Sequence, residues 1–183
     1  SLTLTGLSAS SKVYDRTTTA PVSANAAGLI SGDDVSLSQT AVFTGAGAKN
    51  VGTNKPVQIS GAALSGSDAG NYTLVPVNTL TTASITPRPV TVDGLTDVHA
   101  VDRAYDGTRV VVVNVNSVGT VGAHPGDILS GDDVSVSAPS NGQTTGTMAD
   151  KNVGSGKAVV VSGLALSGAD AGNYTITGTQ GVT

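Results

Sequence analysis

Cysteine, tryptophan and glutamate are all absent from the 183 residues. Without cysteine there are no disulfides, no thiolate metal sites and no thiol nucleophile. That absence does not fix a compartment, because secreted domains with adequate cores manage without disulfides. With one Phe, one Met and four Tyr, the core has to be aliphatic. No stretch approaches ~18 consecutive apolar residues, so nothing reads as a membrane-spanning helix. Basic runs are missing too, which argues against a nucleic-acid partner. The formal charge of −4 is spread thinly along the chain.

Catalytic patterns are equally scarce. The only histidines are His99 and His124, with no partner at metal-ligand spacing. There is no G-x-S-x-G elbow, P-loop or G-x-G-x-x-G opening a helix, so the chain is expected not to be an enzyme and to need no cofactor. Abundant instead are Val and Thr, which favour strands, and Gly, Asn, Asp and Ser, which favour turns. The expected class is all-β.

What the chain does contain, it contains twice. Tyr14-Asp15-Arg16-Thr17 is answered by Tyr105-Asp106-Gly107-Thr108, and Gly32-Asp33-Asp34-Val35-Ser36 by Gly131-Asp132-Asp133-Val134-Ser135. Lys49-Asn50-Val51-Gly52 through Asn71-Tyr72-Thr73 returns as Lys151-Asn152-Val153-Gly154 through Asn173-Tyr174-Thr175. The offset grows from 91 to 99 to 102, so the second copy carries insertions between matching landmarks. Units of this length are domain-sized rather than solenoid-sized. The boundary falls near Thr86-Pro87-Arg88-Pro89, giving expected domains 1–87 and 88–183, with Pro87 and Pro89 stiffening a short linker.

Period-2 alternation marks strands at Leu2 and Leu4, Val35 and Leu37, Val57 and Ile59, Tyr72 and Leu74, and Ala83 and Ile85. Copy two alternates at Val134 and Val136, Val159 and Val161, and Tyr174 and Ile176. Six or seven short strands per domain predict two tandem immunoglobulin-like β-sandwiches. In copy two, the inserted Val118–Leu129 and the divergent Gln143–Ala149 read as loops on which recognition could reside. Copy one runs on through Thr82–Thr86, whereas the sequence stops at Thr183, so copy two is expected to lack a last strand. The chain opens at Ser1 without Met or a signal-peptide pattern and reads as a piece of something longer.

The sharpest motifs are Ser67-Asp68-Ala69-Gly70-Asn71-Tyr72 and Ala169-Asp170-Ala171-Gly172-Asn173-Tyr174. Asp-x-Gly-x-Tyr has the spacing of a tyrosine corner, whose hydroxyl bonds backbone a few residues upstream. Tyr72 and Tyr174 are accordingly expected at corners, with Asp68, Asp170, Gly70 and Gly172 setting the turns. Asn71 and Asn173 also fit the N-x-Thr sequon. Asp33, Asp34, Asp132 and Asp133 stand at strand entrances, as turn formers or as oxygen ligands for calcium. A solvent-facing Tyr in the Tyr-Asp turns could stack on a sugar.

Taken in order, Lys12-Val13-Tyr14-Asp15, Gly32-Asp33-Asp34-Val35, Lys49-Asn50-Val51-Gly52, Leu64 through Thr73 and Ile85-Thr86-Pro87 resemble the YDG-type repeat of large bacterial filamentous-haemagglutinin-like adhesins, exported by two-partner secretion. Arg16 departs from the glycine of that pattern. The resemblance implies an extracellular location at the bacterial cell surface, with a β-grasp-like fold as the alternative to the sandwich. It implies a stalk or spacer in adhesion, aggregation or biofilm, touching neighbouring repeats of the same chain. The alternative is a carbohydrate-binding module for exopolysaccharide or host glycan.

Overall fold

The computed structural model describes residues 1–75, 79–93, 98–115, 122–123, 126–137 and 142–179. These are strands and turns with two short 3-10 segments, and the class is all-β. The chain divides into two compact units, Ser1–Thr86 and Pro87–Thr183.

In the first unit the strands are β1 (Thr3–Ala9), β2 (Lys12–Val13), β3 (Val22–Ala27), β4 (Ser36–Phe43), β5 (Gly52–Ser65) and β6 (Thr79–Thr86). β1 pairs antiparallel with β3, and a four-stranded sheet runs β2-β6-β5-β4. The alternating side chains do what their period requires: Leu2, Leu4, Ala41, Phe43, Val57, Ile59, Ala83 and Ile85 are all buried. Tyr14 and Ala20 complete this core from the segments flanking β2. Tyr72 and Leu74, expected in a strand, instead follow a 3-10 turn at Ala69–Asn71, and Leu74 makes only a parallel bridge to Leu2.

The second unit contains β7 (Arg88–Asp93), β8 (Val98–Ala100), β9 (Val110–Val115), β10 (Gly122–Ala123), β11 (Ser135–Ser137), β12 (Gln143–Met148), β13 (Val159–Val161), β14 (Ala165–Ser167) and β15 (Tyr174–Thr179). They form sheets ordered β10-β7-β15, β11-β14 and β13-β12-β9-β8. Val98, Val111, Val113, Val115, Val159 and Val161 make one core cluster, with Met148 and Leu164 packed against it.

The correspondence between units is strand for strand over much of their length. Ser36↔Ser65, Leu37↔Leu64 and Ser38↔Ala63 in β4–β5 reappear as Ser135↔Ser167, Val136↔Leu166 and Ser137↔Ala165 in β11–β14. Phe43↔Val57 reappears as Met148↔Val159, so Met148 stands where the first unit has its Phe. Gln143–Ala149, expected to be a loop, is thus largely β12, an interior strand of its sheet. Its Thr-rich alternation around Gly146 had masked it. Gly146 lets β12 lie close to its neighbours: a Cβ there would stand 2.2 Å from Val159 Cγ1. Two pairings, β2–β6 and β7–β15, are parallel. They depart from the wholly antiparallel sheets of an immunoglobulin-type sandwich.

Candidate functional site

The carboxylates and tyrosines singled out in the sequence converge on one clasp per unit. In the first, the turn after Ile30 presents Asp33 and Asp34 to the segment Gly66–Tyr72. The Asp68 carboxylate accepts the Asp34 N–H at 2.9 Å, and the Asp34 carboxylate accepts the Ser67 N–H and Oγ–H, both at 3.1 Å. Asp68 N–H donates to the Asp34 carbonyl at 3.1 Å. Tyr72 closes the clasp, its hydroxyl donating to Asp33 at 2.5 Å and accepting the Ile30 N–H at 3.1 Å.

The second unit repeats this arrangement. Asp170 accepts the Asp133 N–H at 3.0 Å, and Asp133 accepts the Ala169 N–H at 3.0 Å. Tyr174 donates to Asp132 at 2.6 Å and accepts the Leu129 N–H at 3.1 Å.

Two expectations are corrected here. The tyrosine hydroxyls do not bond backbone a few residues upstream; their partners lie in a different loop, 42 and 45 residues back for Ile30 and Leu129. Nor do Gly70 and Gly172 carry the turns. Neither has a positive φ, and a Cβ at either position meets nothing within 4 Å. The demanding glycines are Gly66 (φ 119°) and Gly168 (φ 111°), where a Cβ would lie 2.2 Å from the carbonyl oxygen of Asp34 and of Asp133. Both belong to the repeated Leu-Ser-Gly, so repetition was the signal that could have found them. Asp68 and Asp170 do sit at the entrance of the 3-10 turns, but their carboxylates reach across to the other loop rather than capping their own turn.

The electrostatics follow from these bonds. The Asp34 carboxyl is held below its ordinary value by the Ser67 backbone and hydroxyl donors. The Tyr72 phenol is raised, chiefly by donating to Asp33. Burial is the main cause of the upward shift at Tyr174, with its bond to Asp132 second. As for calcium, Asp33, Asp34, Asp132 and Asp133 each accept hydrogen bonds from protein donors. Among the described residues no group of three or more His, Cys, Asp or Glu could hold a metal ion. Asn173 of the second sequon is buried, at 5% exposure, while Asn71 is exposed.

The Tyr-Asp turns form a second repeated device. Asp15 accepts the Thr17 N–H and hydroxyl, both at 2.9 Å, and Lys12 Nζ at 2.6 Å, while Lys12 also reaches the Thr17 carbonyl at 2.9 Å. In the second unit Asp106 accepts the Thr108 N–H and hydroxyl, both at 2.8 Å, and pairs with Arg103, which donates to the Thr108 carbonyl at 2.7 Å. The residue after the Asp is left-handed in both turns, Arg16 at φ 68° and Gly107 at φ 79°. The turn geometry is therefore kept even where the glycine is lost.

The YDG domain family matches residues 1–82 and again residues 86–181. The chain belongs to the YDG domain family. No curated protein and no solved structure was found to match it.

The two YDG units differ at the tyrosine of the turn. Tyr14 is fully buried, whereas Tyr105 is 60% exposed beside a cleft of 610 Å³. That cleft is walled by Val101–Tyr105 on one side and Lys151–Lys157 on the other, with Val111, Met148 and Val159 beneath. Of the inserted segment Val118–Leu129, part lies outside the described residues, His124 included. The rest is pinned to β7: Arg88 Nε donates to the Asp127 carbonyl at 2.8 Å, and Asp127 accepts the Thr91 N–H at 2.7 Å. Pro87 stands between β6 and β7, and Pro89 is the second residue of β7, opposite Thr175. Among the described residues no helix is long and apolar enough to cross a membrane.

Proposed function

We propose that this pair of YDG units is a stalk or spacer segment of a secreted bacterial surface adhesin, without catalytic activity and without a bound cofactor. The observation that carries the reading is the clasp itself. Its carboxylates and phenol are spent on one another, in the same way in both units, so the repeated residues serve shape rather than a ligand. The partners in this reading are neighbouring repeats of the same parent chain, and the location is the extracellular face of the cell. For the fold, the finer reading is a tandem of small sandwiches. Alternating burial along β4 to β6 supports it, and the parallel pairings favour the β-grasp-like alternative with mixed sheets.

A second reading is favoured by one observation, the exposed Tyr105 at the mouth of the second unit's cleft. An amphipathic ring beside polar groups suits a sugar face. The test is binding of the 183-residue chain to bacterial exopolysaccharides and host glycans, with calcium present. The spacer reading expects no saturable binding. Saturable binding lost in Tyr105→Ala, or on shortening Val118–Leu129 to the first unit's length, would establish a recognition module instead.

A further inference from the structure

In both units the N-terminal segment lies beside a later segment and runs in the same direction. In the first, Leu2 makes a parallel bridge with Leu74: its N–H donates to the Thr73 carbonyl at 2.7 Å, and its carbonyl accepts the Val75 N–H at 3.1 Å. Further along, β2 is parallel to β6, with Lys12 opposite Ile85 and Val13 opposite Thr86. Tyr14 N–H donates to the Thr86 carbonyl at 3.0 Å, and Ser84 N–H to Ser11 Oγ at 2.9 Å.

In the second unit β7 is parallel to β15, with Tyr174 opposite Arg88, Ile176 opposite Val90 and Thr179 opposite Val92. Leu2-Thr3-Leu4 of one copy answers Val90-Thr91-Val92 of the other, and Leu74 answers Ile176. The Leu2–Leu74 bridge and the Val90–Ile176 pair are therefore the same contact in two copies. Leu2 and Val90 are both fully buried.

Direction matters once the chain is under tension. Tension entering a unit from both sides pulls the N-terminal strand by its start and the later strand by its end. Between parallel strands that pull runs along the strands in opposite senses, so their evenly spaced bonds are strained together. Antiparallel strands pulled apart at one end open one bond at a time instead. Sliding a parallel pair also drags Leu2 or Val90 out of the core, and a slip of one residue turns every side chain to the wrong face. The clasp fastens the strand that takes this pull. Tyr72 stands two residues before Leu74, and Tyr174 opens β15, each tied through its hydroxyl to the Gly-Asp-Asp loop.

We infer that each unit is a shear clamp against end-to-end tension. This role rests on the spacer reading, because a spacer is what puts the chain under tension.

The chain has no cysteine, so introduced pairs fix where a force is applied. One form carries Ser1→Cys and Thr183→Cys and is pulled by its ends. Another carries Thr145→Cys and Ser162→Cys, exposed residues at the open end of the antiparallel β12–β13 pair, where pulling peels off the strand at the end of its sheet. In single-molecule force spectroscopy at one loading rate, both units pulled by the ends should yield at forces at least about twofold above the rupture of β12–β13. Val75→Pro deletes the N–H that Leu2 accepts and should lower the force of the first unit only, the contour length released identifying the unit. Val57→Ala, which empties core space in β5, should lower that force less for the same loss of stability in urea. Equal forces in the two pulling directions overturn the clamp, whether or not the Val75→Pro variant folds. So does a first unit whose force follows stability alike in Val75→Pro and Val57→Ala. Saturable glycan binding by a chain that keeps the twofold difference removes the spacer reading and leaves the clamp standing.

Discussion

At the scale of single residues, the distinction between two pairs of glycines is the most exposed to test. Gly66 and Gly168 are left-handed with a carbonyl oxygen where a Cβ would go, while Gly70 and Gly172 have neither constraint. Gly66→Ala and Gly168→Ala are expected to destabilise their units by at least about 2 kcal/mol, from backbone strain and the clash together. Gly70→Ala and Gly172→Ala should be neutral or stabilising by up to about 1 kcal/mol, since alanine narrows the unfolded ensemble. Urea midpoints measure both, and equal losses at the two positions would refute the turn geometry. Tyr174 can be dissected in the same way. Removing its hydroxyl alone leaves Asp132 and the Leu129 N–H to find other partners, and Tyr174→Phe should cost about 1–2 kcal/mol. Tyr174→Ala also empties a buried site and should cost about 3–5 kcal/mol. If Phe and Ala cost the same, packing contributes nothing and the ring's burial has been misread.

At the scale of elements, each unit ties two segments distant in sequence, the Gly-Asp-Asp loop and the Asp-x-Gly-x-Tyr turn, and the stability of the chain is pH-sensitive in both directions. Asp34, Asp106 and Asp150 are held below their ordinary value of 3.8 by hydrogen bonds, from Ser67, from Thr108 and from Lys157 respectively. At Asp15 burial works upward but is outweighed by bonds from Lys12 and Thr17. A depressed carboxyl stabilises the folded state above its unfolded value, and that stability is lost as pH falls through the lower folded value. For Tyr72 and Tyr174 the sign reverses. Their raised values mean stability fully present below pH 10.0 and lost as pH rises through the folded value, where a phenolate would face a carboxylate. Melting temperature should therefore be flat at neutral pH, fall below about pH 4 and fall again above about pH 10. The double variant Tyr72→Phe, Tyr174→Phe should flatten the alkaline fall and spare the acid one; an unchanged alkaline limb would remove the tyrosines from the clasp.

The strands themselves were legible because a buried face on a two-residue period leaves a pattern that survives any detail of pairing, as at Val57 and Ile59 or Ala83 and Ile85. The clasp was legible only as two separate motifs. Nothing local to Asp34 says that its carboxylate serves Ser67, since that depends on strand register over 33 residues. β12 was missed because Thr144, Gly146 and Met148 supply too little hydrophobic contrast to mark an inward face.

At the scale of the whole chain, two units of one family carry the same clasps but not equal sheets. In the first, β5 is 14 residues long and is flanked by β4 and β6. Its counterpart is divided between β13 and β14, of three residues each, and β13 lies at the end of its sheet's order. Phe43 has given way to Met148, and Tyr105 is exposed where Tyr14 is buried. A short strand at the end of its sheet opens more easily than a long one flanked on both sides. Amides of Val159 and Val161 are therefore expected to exchange with solvent deuterium markedly faster than those of Val57 and Ile59, at any pH where both units are folded. Equal exchange in the two units would mean that the difference between the copies is one of surface rather than of stability.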